Sequence, residues 1–144
     1  MQRKSKRKIV VFVALLVALS AFVGYGIWNK PHRDVRNATP VKVNAATLYK
    51  ILSGKNSSDK SNFNNKVLSV SGTVKQVLEN HLRQQVILLK TDIEEGAVNC
   101  TMEEKFENVK AGDSVLIKGI CIGYNAGDLD LPGDVFLIRC YHAD

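Results

Sequence analysis

The sequence predicts an all-β domain with short helices, a five-stranded Greek-key barrel preceded by a transmembrane helix. Three observations predict it. From Lys66 onward apolar residues recur at every second position, in five runs bounded by polar or glycine-containing turns. The gaps between the runs leave no room for the long crossovers that a parallel sheet needs. Two runs, "KVLSVSGTVKQV" and "SVLIKGICIGY", carry a glycine in the same register: Leu68, Val70, Gly72 and Val74 match Val115, Ile117, Gly119 and Cys121 in spacing. A glycine inside a strand marks a bulge, a bend or the close approach of another backbone.

The 144 residues leave room for one such domain. Residues 1–8 form a basic tail, with Arg3, Lys4, Lys6, Arg7 and Lys8. Ile9 to Trp28 follow, twenty residues without a charge, the length at which a helix crosses the hydrocarbon core. Tyr25 and Trp28 fall where an aromatic belt would lie. A cleaved signal peptide shares the basic start, but this apolar run exceeds the usual length and is broken only by the weak small-residue site "ALSA". The expectation is an uncleaved single-pass anchor in the inner (cytoplasmic) membrane, its N-terminus inside and the domain in the periplasm.

Residues 29–43 hold two prolines and no period, and are expected to be a linker, so that the domain runs over 44–144. Asn44 is placed to cap a short helix, "AATLYKIL", that stops near Gly54. The polar stretch around Phe63 fits a further helical turn or a loop. Strands are expected at about 66–78, 85–91, 97–102, 113–124 and 134–141. Between the third and fourth, Phe106 and Val109 sit three apart ahead of Gly112, which predicts another short helix. Five strands with a helix between the third and fourth is the layout of the OB-fold. Such a barrel bends its first strand sharply, which assigns structural roles to Gly72 and Gly119. It also predicts a bulge near Lys75 and Gln76, and brings the two glycines face to face where strands one and four pair.

The segments "AATLYKIL", "NKVLSVSGTVKQV", "VNCTM", "AGDSVLIKGICIGY" and "DVFLIRC", spanning Asn44 to Tyr141, resemble the tRNA-anti-like family of OB-fold proteins, many of them exported or lipid-anchored bacterial proteins. The resemblance implies a fold more than an activity. No cysteine precedes Cys100, so attachment would fall to the helix and not to a lipid. Cys100, Cys121 and Cys140 fall in the apolar phase of their strands, with Val98, Ile117 and Ile138 respectively, where core residues go. Spacing alone leaves Cys100 and Cys121 competing for Cys140, all three in the exported part where a disulfide is permitted. The resemblance, which puts a cysteine at the end of strands four and five, favours Cys121 with Cys140.

The net charge of +6 belongs to the tail and linker, because Asn37 to Asp144 carry twelve Lys or Arg against thirteen Asp or Glu. A domain with no basic excess, and no aromatic in "QQVILLKT" or "AVNCTM", lacks what single-stranded nucleic acid binding requires. His32, His81 and His142 lie in linker, loop and tail, beside no recognisable nucleophile motif, so no enzyme and no cofactor is expected. Asp128, Asp130 and Asp134 are better suited to a polar turn than to calcium, since the remaining ligands of a loop site are missing. What remains is a non-catalytic binding module for a protein or peptide of the cell envelope, with a single-stranded nucleic acid or an oligosaccharide as the alternative ligand. The loops Glu79 to Gln85 and Asn125 to Asp134 flank the binding face of the fold, making His81, Arg83, Asp128 and Asp130 the candidate contacts.

Overall fold

The structure is a computed structural model, and it describes residues 2–28, 34–127 and 132–143. The chain divides into two compact units, Met1–Arg33 and Asp34–Asp144. The first holds helix α1 (Gln2–Trp28), whose described side chains, residues 11–26, are exposed. Among the described residues no helix is long and apolar enough to cross a membrane.

The second unit begins ten residues before its expected start. Asp34 opens a turn in which its carboxylate accepts from the Arg36 N–H (3.0 Å) and the Ala38 N–H reaches the Asp34 carbonyl (3.2 Å). Val35 is buried, and Val41–Asn44 form strand β1, parallel to the next strand. The expected linker is therefore part of the folded unit from Asp34 onward. Asn44 caps helix α2 (Ala45–Ser53) as predicted, its side chain accepting from the Ala46 N–H at 2.9 Å. Ala45, Leu48, Tyr49 and Leu52 share one face of α2 and are all buried. A single short helix, α3 (Ser57–Ser61), then turns Phe63 against the core.

The strands follow closely where the period of two placed them: β2 (Val67–Glu79), β3 (Gln85–Lys90), β4 (Ala97–Met102), β5 (Ser114–Asn125) and β6 (Asp134–His142). The sheet order is β1-β2-β3-β4-β6-β5, and β2 also pairs with β5, closing five strands into a barrel. All its pairings are antiparallel except β4 with β6, and this is the Greek-key connectivity of the OB-fold. Helix α2 packs against every strand, which a helix can do only by lying across one open end of the barrel. Its four buried side chains join Leu68, Val70, Ile87, Leu89, Val98, Ile117 and Leu137 in one core.

Four expectations need correction. The β4–β5 connection is not helical, because the Phe106 N–H is held by Gln85 Oε1 (2.7 Å) and its carbonyl by Gln85 Nε2 (3.1 Å), while Asn108 takes a φ of 62°. A helix would need the same backbone groups for its own ladder. Phe106 and Val109 nonetheless pack on the core as their spacing required.

The two glycines do not face each other, since Gly72 lies opposite Val115 and Gly119 opposite Leu68. What each excludes is a side chain: a Cβ on Gly72 would come within 3.0 Å of Ala45 Cβ, and one on Gly119 within 2.5 Å of Cys140 Sγ. The predicted bulge is present, as a register shift between Val74 and Gln76.

Cys140 does not share the face of Ile138. Ile138 is exposed, and a register shift against β4, with Arg139 at a φ of 51°, turns Cys140 inward. Nor is there a Cys121–Cys140 bond: Cys121 lies opposite Leu137, along the strand from Cys140, and all three cysteines are buried thiols. Burial pushes the Cys121 thiol up to about 11. Cys140 is raised first by its hydrogen bond with the Cys100 side chain and then by burial.

Candidate functional site

Two loops were expected to carry contacts, and the structure holds them in different ways. The β2–β3 turn is built by Asn80, whose Oδ1 accepts from the N–H groups of Leu82 and Gln84, both at 2.9 Å. This is the Asx geometry that places a polar residue at the start of a tight turn. Arg83 closes the turn at a φ of 60°, and His81 and Leu82 stand exposed at its tip.

In the β5–β6 loop, Asp128 and Asp130 lie outside the described residues. The end of that loop is fixed from α2: the Tyr49 hydroxyl donates to the Gly133 carbonyl at 2.7 Å, and the Gly133 N–H donates to the Tyr124 hydroxyl at 3.2 Å. The two rings meet edge to face, with centroids 5.8 Å apart. Burial first, and then the hydrogen bond with Tyr124, push the Tyr49 phenol up to about 12. Asp134 accepts from the Ala97 N–H at 2.9 Å and so joins β6 to β4. Among the described residues no group of three His, Cys, Asp or Glu is arranged to hold a metal.

The larger concavity lies elsewhere, where the Asp34 turn, the β4–β5 connection and the end of β6 meet. A cleft of about 600 Å³ is lined there by Arg36, Lys105, Phe106, Lys118, Tyr141 and His142, and by Glu104 and Glu107. Its walls are already paired. The Arg36 guanidinium lies 4.7 Å from the Tyr141 ring centroid and makes an ion pair with Glu104. Lys118 Nζ donates to the Arg36 carbonyl at 2.7 Å, and Phe106 stacks on His142 with centroids 4.1 Å apart. Hydrogen bonding from Asn37 holds the Asp34 carboxyl below its usual range, which keeps it an acceptor for that turn.

A second cleft of about 440 Å³ adjoins it, lined by Val77, Leu78, Arg83, Gln85, Met102 and Lys105 among others. Lys105 lines both. Together, as a groove with Lys105 at the junction, they border the β4–β5 connection, one toward the β2–β3 turn and the other toward the end of β6. Of the four candidates from the sequence, Arg83 lines this groove and His81 stands in the adjoining turn. Arg36, Lys105, Phe106 and Tyr141 were not foreseen. They are brought together from positions up to 105 residues apart in sequence, and no local pattern marks them.

The profile of the tRNA_anti-like family matches residues 1–131. The chain belongs to that family. Among curated proteins none matches. Seven chains of solved structures do. One is the OBody AM3L09 bound to hen egg-white lysozyme, 16% identical, covering 58% of this chain and 86% of that one with a TM-score of 0.39. Another is a chain assigned as an aspartyl-tRNA synthetase from Leishmania major Friedlin, 6% identical, covering 78% of this chain and 22% of that one with a TM-score of 0.44.

Proposed function

We propose that this member of the tRNA_anti-like family is a non-catalytic binding module, tethered by its apolar N-terminal helix to the inner membrane with the barrel in the periplasm. Its groove would receive an extended protein or peptide segment of an envelope partner. The observation that carries this reading is that the two clefts share Lys105 as a lining residue, one adding Val77, Leu78 and Met102 to its charged side chains and the other Phe106 and Tyr141. An extended chain suits such a pair of clefts, because its alternate side chains find apolar or charged neighbours. The cations of the groove are interleaved with Glu79, Glu103, Glu104 and Glu107. A polyanion would meet repulsion along most of that path. The tether rests on the charge-free run from Ile9 to Trp28 behind five cations.

The test is photocrosslinking in intact cells with the full chain carrying benzoylphenylalanine in place of Lys105 or, as a control, of the exposed Lys55. Adducts to an envelope protein from position 105 and none from 55 are expected. Adducts to nucleic acid, or none at either position, would overturn the reading. Topology is tested separately by reporters fused after Asp144. A periplasmic reporter should be active and a cytoplasmic one silent, and the reverse would remove the proposed localisation.

A further inference from the structure

A strand with one face on the core and the other in water alternates apolar with polar residues. β2 and β4 follow that rule where their outward positions are Ser71 and Thr73 on the one and Asn99 and Thr101 on the other. β5 and β6 break it. With Gly119 and Cys121 of β5 and Val135 and Leu137 of β6 buried, alternation turns Ile120, Ile122, Phe136 and Ile138 outward. Register sets Ile120 opposite Ile138, and the irregularity between Cys121 and Gly123 leaves Ile122 as the extra residue beside the pair of Gly123 with Phe136. Ile122 is 50% exposed and Ile138 38%, while Ile120 and Phe136 are half-buried. Four large apolar side chains on two neighbouring strands thus share one outer face, which is a mark of an interaction surface.

We propose that two copies of the chain associate through this face, packed face to face about a two-fold axis that lies in the face and runs across the strands. The ends of the face select both the partner and the axis. Register sets Lys118 opposite Tyr141 at one end and Asn125 opposite Asp134 at the other. Lys118 stands three residues before Cys121 and Asp134 three before Leu137, and Cys121 and Leu137 are themselves opposite. A cation and a carboxylate therefore flank the apolar centre at matching distances on its two sides. A two-fold contact sets a patch against its own copy, so the patch must be complementary to itself. An axis across the strands lays the Lys118 end of each copy over the Asp134 end of the other, with Ile122 over Ile120 and Phe136 over Ile138. An axis along the strands would set lysine over lysine and aspartate over aspartate, which like charges oppose. Both groups have capacity left for the contact: Lys118 Nζ donates to the Arg36 carbonyl with one of its three hydrogens, and Asp134 accepts the Ala97 N–H through Oδ1, which leaves Oδ2. Of these residues only Lys118 and Tyr141 line a cleft, so the contact does not rest on the proposed groove. Paired chains would present two grooves to an envelope partner, which raises avidity without any new contact.

The test uses two differently tagged copies of the full chain, made in the same cells with benzoylphenylalanine in place of Ile122. Irradiation of intact cells should give an adduct that carries both tags, with the joined peptide mapping to 114–125 or 134–142 of the other copy. Adducts to other proteins or to lipid alone, or no adduct, overturn the proposal. Ile138→Asp places a carboxylate at the centre of the contact and should lower the two-tag adduct about tenfold. Its side chain faces outward, so the melting temperature of the purified full chain should hold, and an unchanged adduct overturns the proposal. Photolabelling at Lys105 in the Ile138→Asp chain reads the groove separately: groove adducts kept while the two-tag adduct is lost is the expected result, and loss of both would show that the two surfaces are not independent. Lys118→Asp on both copies should lower the two-tag adduct, and so should Asp134→Lys on both. Lys118→Asp on one copy with Asp134→Lys on the other should restore it, because each end then pairs opposite charges again. Restoration is not the result of a merely structural role, and its absence overturns the proposed axis.

Discussion

The β2–β3 turn joins neighbouring strands of the barrel and the β4–β5 connection joins two strands with β6 between them, and they are held in opposite ways. The first is closed by its own residues: the Asn80 side chain satisfies the Leu82 and Gln84 N–H groups, and the Asn80 amide meets the Gln84 side chain at 3.1 Å. The second is held from outside. Gln85, at the start of β3, takes both backbone groups of Phe106, and the Gly112 N–H reaches the Val74 carbonyl at 2.8 Å. The end of the β5–β6 loop resembles the second case, since Tyr49 reaches it from α2. A turn that satisfies itself can form before the barrel does, whereas one that borrows partners exists only once the barrel is closed. The groove is built on the borrowed kind.

Alkaline pH should separate the two kinds most strongly. Tyr49 and Cys121 have folded-state pKa values raised above their ordinary 10.0 and 9.0, to about 12 and about 11. A raised value means that the folded state favours the neutral form, so the stabilisation is complete below pH 9 and drains as pH climbs through about 11 and about 12. Amide exchange at Gly133 and Asp134 should accelerate across that window, ahead of exchange in the β2–β3 turn, whose holding side chains Asn80 and Gln84 do not titrate. The Tyr49→Phe chain should lose part of this pH dependence. An identical profile would show that the hold on Gly133 is not what titrates.

Gln85→Ala should cost about 1–3 kcal/mol in denaturant unfolding, because it leaves a partly buried N–H and C=O at Phe106 unpaired. The loss of protection should concentrate at 103–109, remote in sequence from the substitution. Protection lost only around residue 85 would mean that the connection holds itself. Asn80→Ala should cost less, about 1 kcal/mol, since the freed N–H groups at the exposed turn can turn to water. Faster exchange confined to Leu82 and Gln84 would sharpen the contrast, and a change extending to the groove would break it.

The five strands, the cap at Asn44, the end of α2 near Gly54 and the bulge after Val74 were all legible in the sequence. Each is written in the local alternation of apolar residues or in the chemistry of one or two neighbours, and these act through backbone geometry within a few residues. Residues 34–43 escaped that reading because β1 is stabilised by pairing with β2 and not by its own pattern, and Pro40, with Pro31 just before, gave the stretch the look of a linker. The false helix at 103–113 has a related cause: Phe106 and Val109 do face the core, but their backbone is claimed by Gln85 from another strand. Cys140 was placed inward for the wrong reason, since a bulge, which reverses alternation without changing composition, leaves no trace in a periodicity. The groove lay furthest from reach. Arg36, Lys105 and Tyr141 have nothing in common along the chain, and become neighbours only because β6 closes the barrel between β4 and β5. The sequence by itself determined the five barrel strands and, away from the bulges, which face of each is buried, because burial is decided residue by residue; the site was decided by closure, because it depends on distances between segments that no single segment encodes.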